Sequence, residues 1–194
     1  AWDVRQFEQY MRELALCGAN AVENIPFQDA DPSPHMKLPR AEMNVALSEI
    51  CQRYDQQYWL WTPAEFDLND AELRRRAIEQ HAELYKKCPR VDGVFFPGGD
   101  PGHNDPRQVL PFLAEVYQVL KPQHPQAKVW LSLQGFNQQQ VEYTHQYIDD
   151  NEPAWLGGLV SGPSSPPIPA TRQRLPARYP IRHYPDITHT VRCQ

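Results

Sequence analysis

The chain has 194 residues, of which 41% are hydrophobic, 22% charged and 11% aromatic, with 20 Pro and 9 Gly. This aromatic content excludes a disordered chain, and no apolar run approaches the roughly 18 residues of a membrane span. The 19 basic and 24 acidic side chains give a net charge of −5, and the basic residues cluster only at Arg74, Arg75 and Arg76. We therefore expect a globular chain with neither a nucleic-acid nor a membrane partner, and leave its oligomeric state open.

Short apolar runs alternate with amphipathic segments along the whole chain. Apolar residues at intervals of three and four predict helices from Val4 to Leu14, from Met43 to Tyr54 and from Val109 to Leu120. The apolar runs predict strands at 20–25, 57–62, 91–96, 128–133, 156–161 and 179–184. Side chains suited to cap helix N-termini stand at Asp3, Asp70, Asp105 and Asn137.

Strands that alternate with helices predict a parallel sheet joined by crossovers. Equivalent strand positions recur every 35 to 38 residues, from Glu23 through Trp61 and Phe96 to Ser132. A complete (β/α)₈ barrel takes about 250 residues. The chain is therefore predicted to be a partial α/β barrel of the TIM type with six units. It would be a single domain over residues 1–194 that lacks the first strand and the closing unit. An open doubly wound sheet is the alternative, although the Gly-rich first turn typical of it is absent.

Three cysteines occupy equivalent places, a few residues before successive strands. Equivalent places on neighbouring helices are about 8–10 Å apart, which is too far for a disulfide. We therefore expect Cys17, Cys51 and Cys88 to be free thiols that pack as small apolar side chains. Cys193 is left unassigned.

The carboxyl ends of barrel strands converge on one rim, so polar residues there are candidates for chemistry. The third strand runs into Pro97-Gly98-Gly99-Asp100-Pro101-Gly102-His103. Its glycines allow close approach of a ligand, while its prolines stiffen the loop that presents Asp100 and His103. Asp100 could instead cap the following helix, but Asp105-Pro106 provides a better cap.

Two further carboxylates and an indole are candidates at the same rim. Glu23 lies within an apolar run, where a carboxylate is costly unless it is paired or faces a cavity, and we expect the cavity. Glu65 fits either a rim role or a solvated loop. Trp61 fits either the core or a platform on which a sugar ring stacks.

Two imidazoles and a carboxylate lie close together near the end of the sequence. His183, Asp186 and His189 lie within seven residues, which suits a ligand-binding cluster or a two-His, one-carboxylate metal site. His35 stands in a Pro-rich loop that could close over the rim or simply cross the surface.

Six sequence blocks carry a resemblance to a known group of proteins. They are Gly18 to Pro26 (GANAVENIP), Ser33 to His35 (SPH), Trp59 to Glu65 (WLWTPAE), Val94 to His103 (VFFPGGDPGH), Trp130 to Phe136 (WLSLQGF) and Tyr184 to His189 (YPDITH). With these blocks the chain resembles a poorly characterised group of (β/α)₈ glycoside-hydrolase-like proteins, akin to the β-hexosaminidase and α-glucuronidase barrels. The resemblance implies a catalytic barrel that processes a carbohydrate, and we expect no cofactor. It also suggests a periplasmic or extracellular location, with a cytoplasmic one left open.

One motif departs from the family pattern. In β-hexosaminidases the strand ends in Gly-Gly-Asp-Glu, where Asp orients the acetamido group of the substrate and Glu is the general acid. Here Gly98-Gly99-Asp100 matches and Pro101 replaces the acid. The resemblance therefore does not carry over the substrate-assisted mechanism.

Hydrolysis of a glycosidic bond needs an acid and a second carboxylate. We expect Asp100 and Glu65 to form this pair, with Glu23 as the third candidate. Substrate contacts are expected from Trp61, His103, Gln134, His183, Asp186 and His189. Two alternatives stay open: a metal-dependent hydrolase or isomerase barrel that uses His183, Asp186 and His189, and a non-catalytic carbohydrate-binding remnant.

Overall fold

Residues 2–24 and 37–184 are described by a computed structural model of the chain. Helices and strands alternate throughout, as the sequence predicts. The helices are α1 (Val4–Leu16), α2 (Arg40–Arg53), α3 (Ala71–Lys87), α4 (Pro106–Leu120), α5 (Gln138–Asn151) and α6 (Ile168–Arg174). The strands are β1 (Ala21–Asn24), β2 (Gln57–Trp61), β3 (Gly93–Phe96), β4 (Lys128–Ser132), β5 (Leu156–Ser161) and β6 (Ile181–His183).

The strands form one parallel sheet whose order follows the chain, β1-β2-β3-β4-β5-β6. A doubly wound sheet reverses its strand order near the centre, and this sheet does not, so the alternative of an open doubly wound fold is wrong. Crossovers of the usual right hand then place every connecting helix on one face. The sheet curls into a half-barrel with the helices outside.

Side-chain oxygens begin four of the helices, at the positions that the sequence predicts. Asp3 and Asn137 each accept a hydrogen bond of 3.0 Å from the amide three residues on, at Gln6 and Gln140. Each glutamine side chain in turn accepts a hydrogen bond from the amide of the capping residue. Asp70 and Asp105 cap α3 and α4. These local signals set where the helices start, and therefore the lengths of the loops at the rim.

The central strands β2 to β5 are apolar on both faces over most of their length, which explains their continuous apolar runs in the sequence. The outer face packs against the helices through residues such as Tyr58, Leu60, Val94 and Leu131. The inner face carries a second cluster of Trp59, Phe95, Trp130 and Val160, against which Ala21 and Trp61 pack. We call this concave surface the inner face.

The predicted free thiols are confirmed for Cys17, Cys51 and Cys88, but their packing role holds for only two of them. Cys51 and Cys88 are buried, and burial raises the pKa of each thiol to about 12. Cys17 is exposed, so the prediction that it packs in the core is wrong. It follows the last residue of α1, a helix in which Met11 is the buried residue, so little of the core reaches it. Cys193 lies outside the described residues.

None of the helices in the described part of the chain is both long enough and apolar enough to cross a membrane.

Removal of the α3 cap should destabilise the fold measurably. Asp70 accepts hydrogen bonds of 3.0 Å from the amides of Glu72 and Leu73. Asp70→Ala should cost about 1 kcal/mol, which lowers Tm by about 2–4 °C in thermal denaturation followed by circular dichroism. Asp70→Asn, which retains a capping oxygen, should lose much less. Equal losses in the two variants would contradict the capping role.

Candidate active site

The inner face is built around two indole rings. Trp59 and Trp130 lie with their ring centroids 5.3 Å apart and tilted by 53°. Two glycines make room for them, because a Cβ on Gly93 would lie 2.7 Å from the Trp59 ring and one on Gly158 would lie 2.6 Å from the Trp130 ring. Side chains alternate between the two faces of a strand, so Trp61 lies on the same face as Trp59. Trp61 is half-buried beside this cluster, at the rim. This position is compatible with both predicted roles of Trp61, as a core residue or as a platform for a sugar ring.

Asp100 and Gln134 meet at the rim, after β3 and β4. The Gln134 side-chain amide donates a hydrogen bond of 2.9 Å from Nε2 to Asp100 Oδ2. The two loops are also joined through the backbone, where the Gly99 amide donates to the Gln134 carbonyl at 2.8 Å. Gly98 has φ +83°, and a Cβ there would lie 2.5 Å from the Ser132 carbonyl oxygen. The glycines of this motif therefore allow the backbone contacts that hold Asp100 beside Gln134.

A pair of serines extends this arrangement to the loop after β5. The Ser132 and Ser165 hydroxyl oxygens lie 3.2 Å apart. The Gln134 amide donates to Ser132 Oγ at 3.1 Å, and the Gly162 amide donates to Ser165 Oγ at 3.0 Å. Sequence reasoning did not single out this pair, although Ser132 lies near the end of one apolar run and Ser165 follows another. The serines position the loop that carries Gln134.

Glu65 and His103 line a different part of the rim, a polar pocket of about 580 Å³ between the loops after β2 and β3. Asp67 and Arg107 also line this pocket, and Asp100 does not. Glu65 and Asp100, which the sequence analysis paired, thus belong to separate groups of contacts.

Asn104 fixes the shape of this pocket. Its buried side chain donates hydrogen bonds to the carbonyl oxygens of Ala64 at 3.1 Å and Phe66 at 2.9 Å. The same side chain accepts a hydrogen bond of 2.9 Å from the Leu68 amide. Sequence reasoning missed Asn104, because an asparagine in a loop gives no sign of which distant backbone it bonds.

Glu23 faces inward from β1, on the same side of the strand as Ala21. The next residue, Asn24, faces the helices, where its side chain bonds Asn44 and Tyr58. Although Glu23 is an exposed residue, desolvation of its carboxyl group by the protein around it raises the pKa from 4.5 to about 7. The positive charge of Arg182 lowers this pKa, but by less. Glu23 is therefore a carboxyl group that holds its proton up to near-neutral pH.

Arg182 lies on the inner face, where β6 pairs with β5 so that Arg182 is in register with Val160. Its guanidinium carbon lies 3.7 Å from the Trp59 ring centroid and 4.5 Å from the Trp130 centroid. Sequence reasoning missed this residue. Its position in the last predicted strand could have identified it. Arg182 directly precedes His183, so the two side chains point to opposite faces of that strand.

The C-terminal cluster is only partly within the described residues. His183 is exposed at the end of β6, in register with Ser161. Asp186 and His189 lie outside the described residues, as does His35. Within residues 2–24 and 37–184, no group of three or more His, Cys, Asp or Glu side chains is arranged to hold a metal ion.

Comparisons with known proteins find likenesses among solved structures. No protein-family model matches the chain, and no curated protein sequence matches it. Among solved structures, a candidate alpha-L-fucosidase from Bacteroides ovatus ATCC 8483 matches with a TM-score of 0.44 and 19% identity. The match covers 63% of this chain and 24% of that protein, so the chain corresponds to about a quarter of its length.

A methyl group on Gly102 should disrupt the rim. Gly102 has φ +102°, and a Cβ there would overlap the Ala64 carbonyl oxygen. Gly102→Ala should therefore lower Tm by more than the roughly 2–4 °C that correspond to about 1 kcal/mol of φ strain alone. Gly18→Ala is the matched control, because Gly18 has φ +92° and no neighbour within 4 Å of an added Cβ. Equal losses in differential scanning calorimetry would show that the contact with Ala64 adds nothing.

The raised pKa of Glu23 should make stability depend on pH. Between about pH 4.5 and pH 7 the folded chain keeps a proton on Glu23 that the unfolded chain has released, so stability falls as pH rises through this range. Glu23→Gln cannot ionise and should have nearly the wild-type Tm at pH 4 but a higher Tm at pH 8. The gain should be about 2–4 °C, with allowance for the solvent contact of this side chain. Glu49→Gln, on exposed α2 surface, is the control. A gain at pH 4 as large as that at pH 8 would contradict this assignment.

Proposed function

We propose that this chain is the substrate-binding and catalytic part of a partial (β/α)₈ barrel that hydrolyses a glycosidic bond. The observation that carries the proposal is the carboxylate of Asp100, held by Gln134 at the rim of an inner face lined by indole rings. Sugars present apolar C–H faces, which suit aromatic rings, and hydroxyl groups, which suit carboxylate and amide side chains. The resemblance of the sequence blocks to glycoside-hydrolase-like barrels points to the same class.

The acid in such a reaction must carry a proton at the working pH. Glu23 fits this role because its pKa is raised to about 7. The neutral carboxyl group of Glu23 would give its proton to the oxygen of the leaving group as the bond from that oxygen to the anomeric carbon breaks. Asp100, held as a hydrogen-bond acceptor by Gln134, would attack the anomeric carbon or activate the water that does so.

The remaining candidates would bind rather than react. Trp61 offers an indole beside the inner-face cluster, where a sugar ring could stack. Glu65 and His103 line the adjacent pocket of about 580 Å³, which is large enough for a further sugar unit. His183 lies at the end of β6, on the same rim. Asp186 and His189 stay proposals for substrate contact.

Loss of the Asp100 carboxylate should abolish turnover without unfolding the chain. In assays against a panel of chromogenic glycosides, Asp100→Asn should lower kcat/KM by about 100- to 10,000-fold on any glycoside that the wild type hydrolyses. Its Tm should stay close to that of the wild type, because the amide can still meet Gln134. Asp149→Asn is the matched control, since Asp149 is exposed near the end of α5, at the opposite edge of the sheet.

The outcomes separate the proposed function from its alternatives. Unchanged turnover in Asp100→Asn would overturn the role of Asp100. Turnover that a chelator abolishes would favour a metal-dependent hydrolase. Glycan binding by the wild type with no turnover of any glycoside would favour a non-catalytic carbohydrate-binding barrel.

A further inference from the structure

Arg182 is held in place by aromatic rings rather than by acceptors. Its guanidinium lies over both indoles of the inner face, at 3.7 Å from one centroid and 4.5 Å from the other. The N–H groups of a guanidinium lie in its plane, so contact between its face and a ring leaves them available to other partners. The indoles are themselves fixed, since Gly93 and Gly158 provide the space that they fill.

The donors of Arg182 have no acceptor in the described part of the chain, where no hydrogen bond or ion pair reaches its guanidinium. Other arginines are used differently. Arg172 donates to the carbonyl oxygens of Leu175, Pro176 and Tyr179, and Arg178 pairs with Glu152. Arg182 is an exposed residue instead, and partial desolvation of its guanidinium lowers its pKa. A guanidinium that rings hold in place, with its donors unused by the described residues, is suited to bind an oxyanion.

Within the described residues, little negative charge opposes that of Arg182 below neutral pH. Glu23 is the acidic group whose field reaches it among the described residues. Because burial raises the pKa of Glu23 to about 7, this carboxyl group is mostly neutral at pH 6. At that pH, Glu23 does not compete with an anionic ligand for the guanidinium.

We propose that Arg182, seated on Trp59 and Trp130, is a subsite for the negatively charged substituent of an acidic sugar, either a carboxylate or a sulfate ester. Two in-plane N–H groups of the guanidinium would bind two oxygens of the anion, while the indoles meet the apolar face of the sugar. This inference rests on the proposed function, because it names the substrate class of the same inner face. Sequence reasoning expected substrate contacts from histidines and amides, and none from a basic side chain in the last strand.

The test compares the binding of glucuronate, glucose 6-sulfate and glucose by isothermal titration calorimetry at pH 6. The wild type should bind at least one of the anionic sugars about tenfold or more tightly than glucose, and the two anions show which oxyanion is preferred. Arg182→Met, which keeps an unbranched apolar stem but removes the charge and the donors, should lose this preference. Arg182→Lys keeps a charge without the two-donor edge and should show a reduced preference.

Arg178→Met is the matched control, because Arg178 also lies over an aromatic ring, 4.8 Å from the Tyr179 centroid, but outside the inner face. It should keep the full preference. If Arg182→Met proves unfolded by circular dichroism, Arg182→Lys decides the outcome. Equal affinity of the wild type for all three sugars, or a preference unchanged in both folded Arg182 variants, overturns the inference.

The result is separable from that of the hydrolase proposal. Hydrolysis of neutral glycosides with no Arg182-dependent preference for anions overturns the subsite and leaves the hydrolase. A preference that Arg182→Met removes, in a protein that turns over no glycoside, supports the subsite and overturns the hydrolase.

Discussion

The rest of the structure depends on how the concave face of the sheet is filled by side chains. A parallel sheet needs both faces covered, and here the helices cover one. The other is covered by large aromatic side chains, with Trp59 and Phe95 each only 4% exposed. These rings need space on neighbouring strands, which Gly93 and Gly158 supply. The polar side chains described on this face, Glu23 and Arg182, are exposed, and Arg182 lies against the indoles.

The rim above this face is held by backbone contacts more than by side chains. Gly98 and Gly135 both have positive φ, and each brings its loop against the neighbouring one so closely that a Cβ would meet backbone or Cβ atoms. Asn104 joins the loop after β3 to the loop after β2 in the same way, by bonding backbone groups. Such contacts fix loop positions at low cost in side-chain entropy. The loop that carries Asp100 is therefore positioned by contacts within the chain.

The strands and helix starts could be predicted from the sequence because their signals are local. Continuous apolar runs mark strands that are buried on both faces, and Asp or Asn before a helical period marks a cap. The contact of Asp100 with Gln134 follows from the adjacency of strands that are consecutive in the chain. Glu65 could not be assigned in this way, since its side chain is placed by the path of a loop and not by a strand. Cys17 is exposed for a comparable reason, because the cover that a helix end receives depends on what packs over it.

The relation between Glu23 and Arg182 shows how burial and charge compete on the inner face. An adjacent guanidinium should lower the pKa of a carboxyl group, and burial should raise it. The net value, about 7 against an ordinary 4.5, shows that burial outweighs the attraction. The two groups are therefore not a tight ion pair: near pH 6 Glu23 is mostly protonated, and Glu23 is the acidic group of the described residues whose charge reaches Arg182. In the proposed function both groups act on the same substrate. Protonated Glu23 would donate its proton to the leaving group, and the guanidinium of Arg182 would bind an anionic substituent. Ionisation of Glu23 removes both at once, because the carboxylate then has no proton to give and competes for the guanidinium. One titration would thus control acid catalysis and anion binding in the same direction, with both favoured below neutral pH.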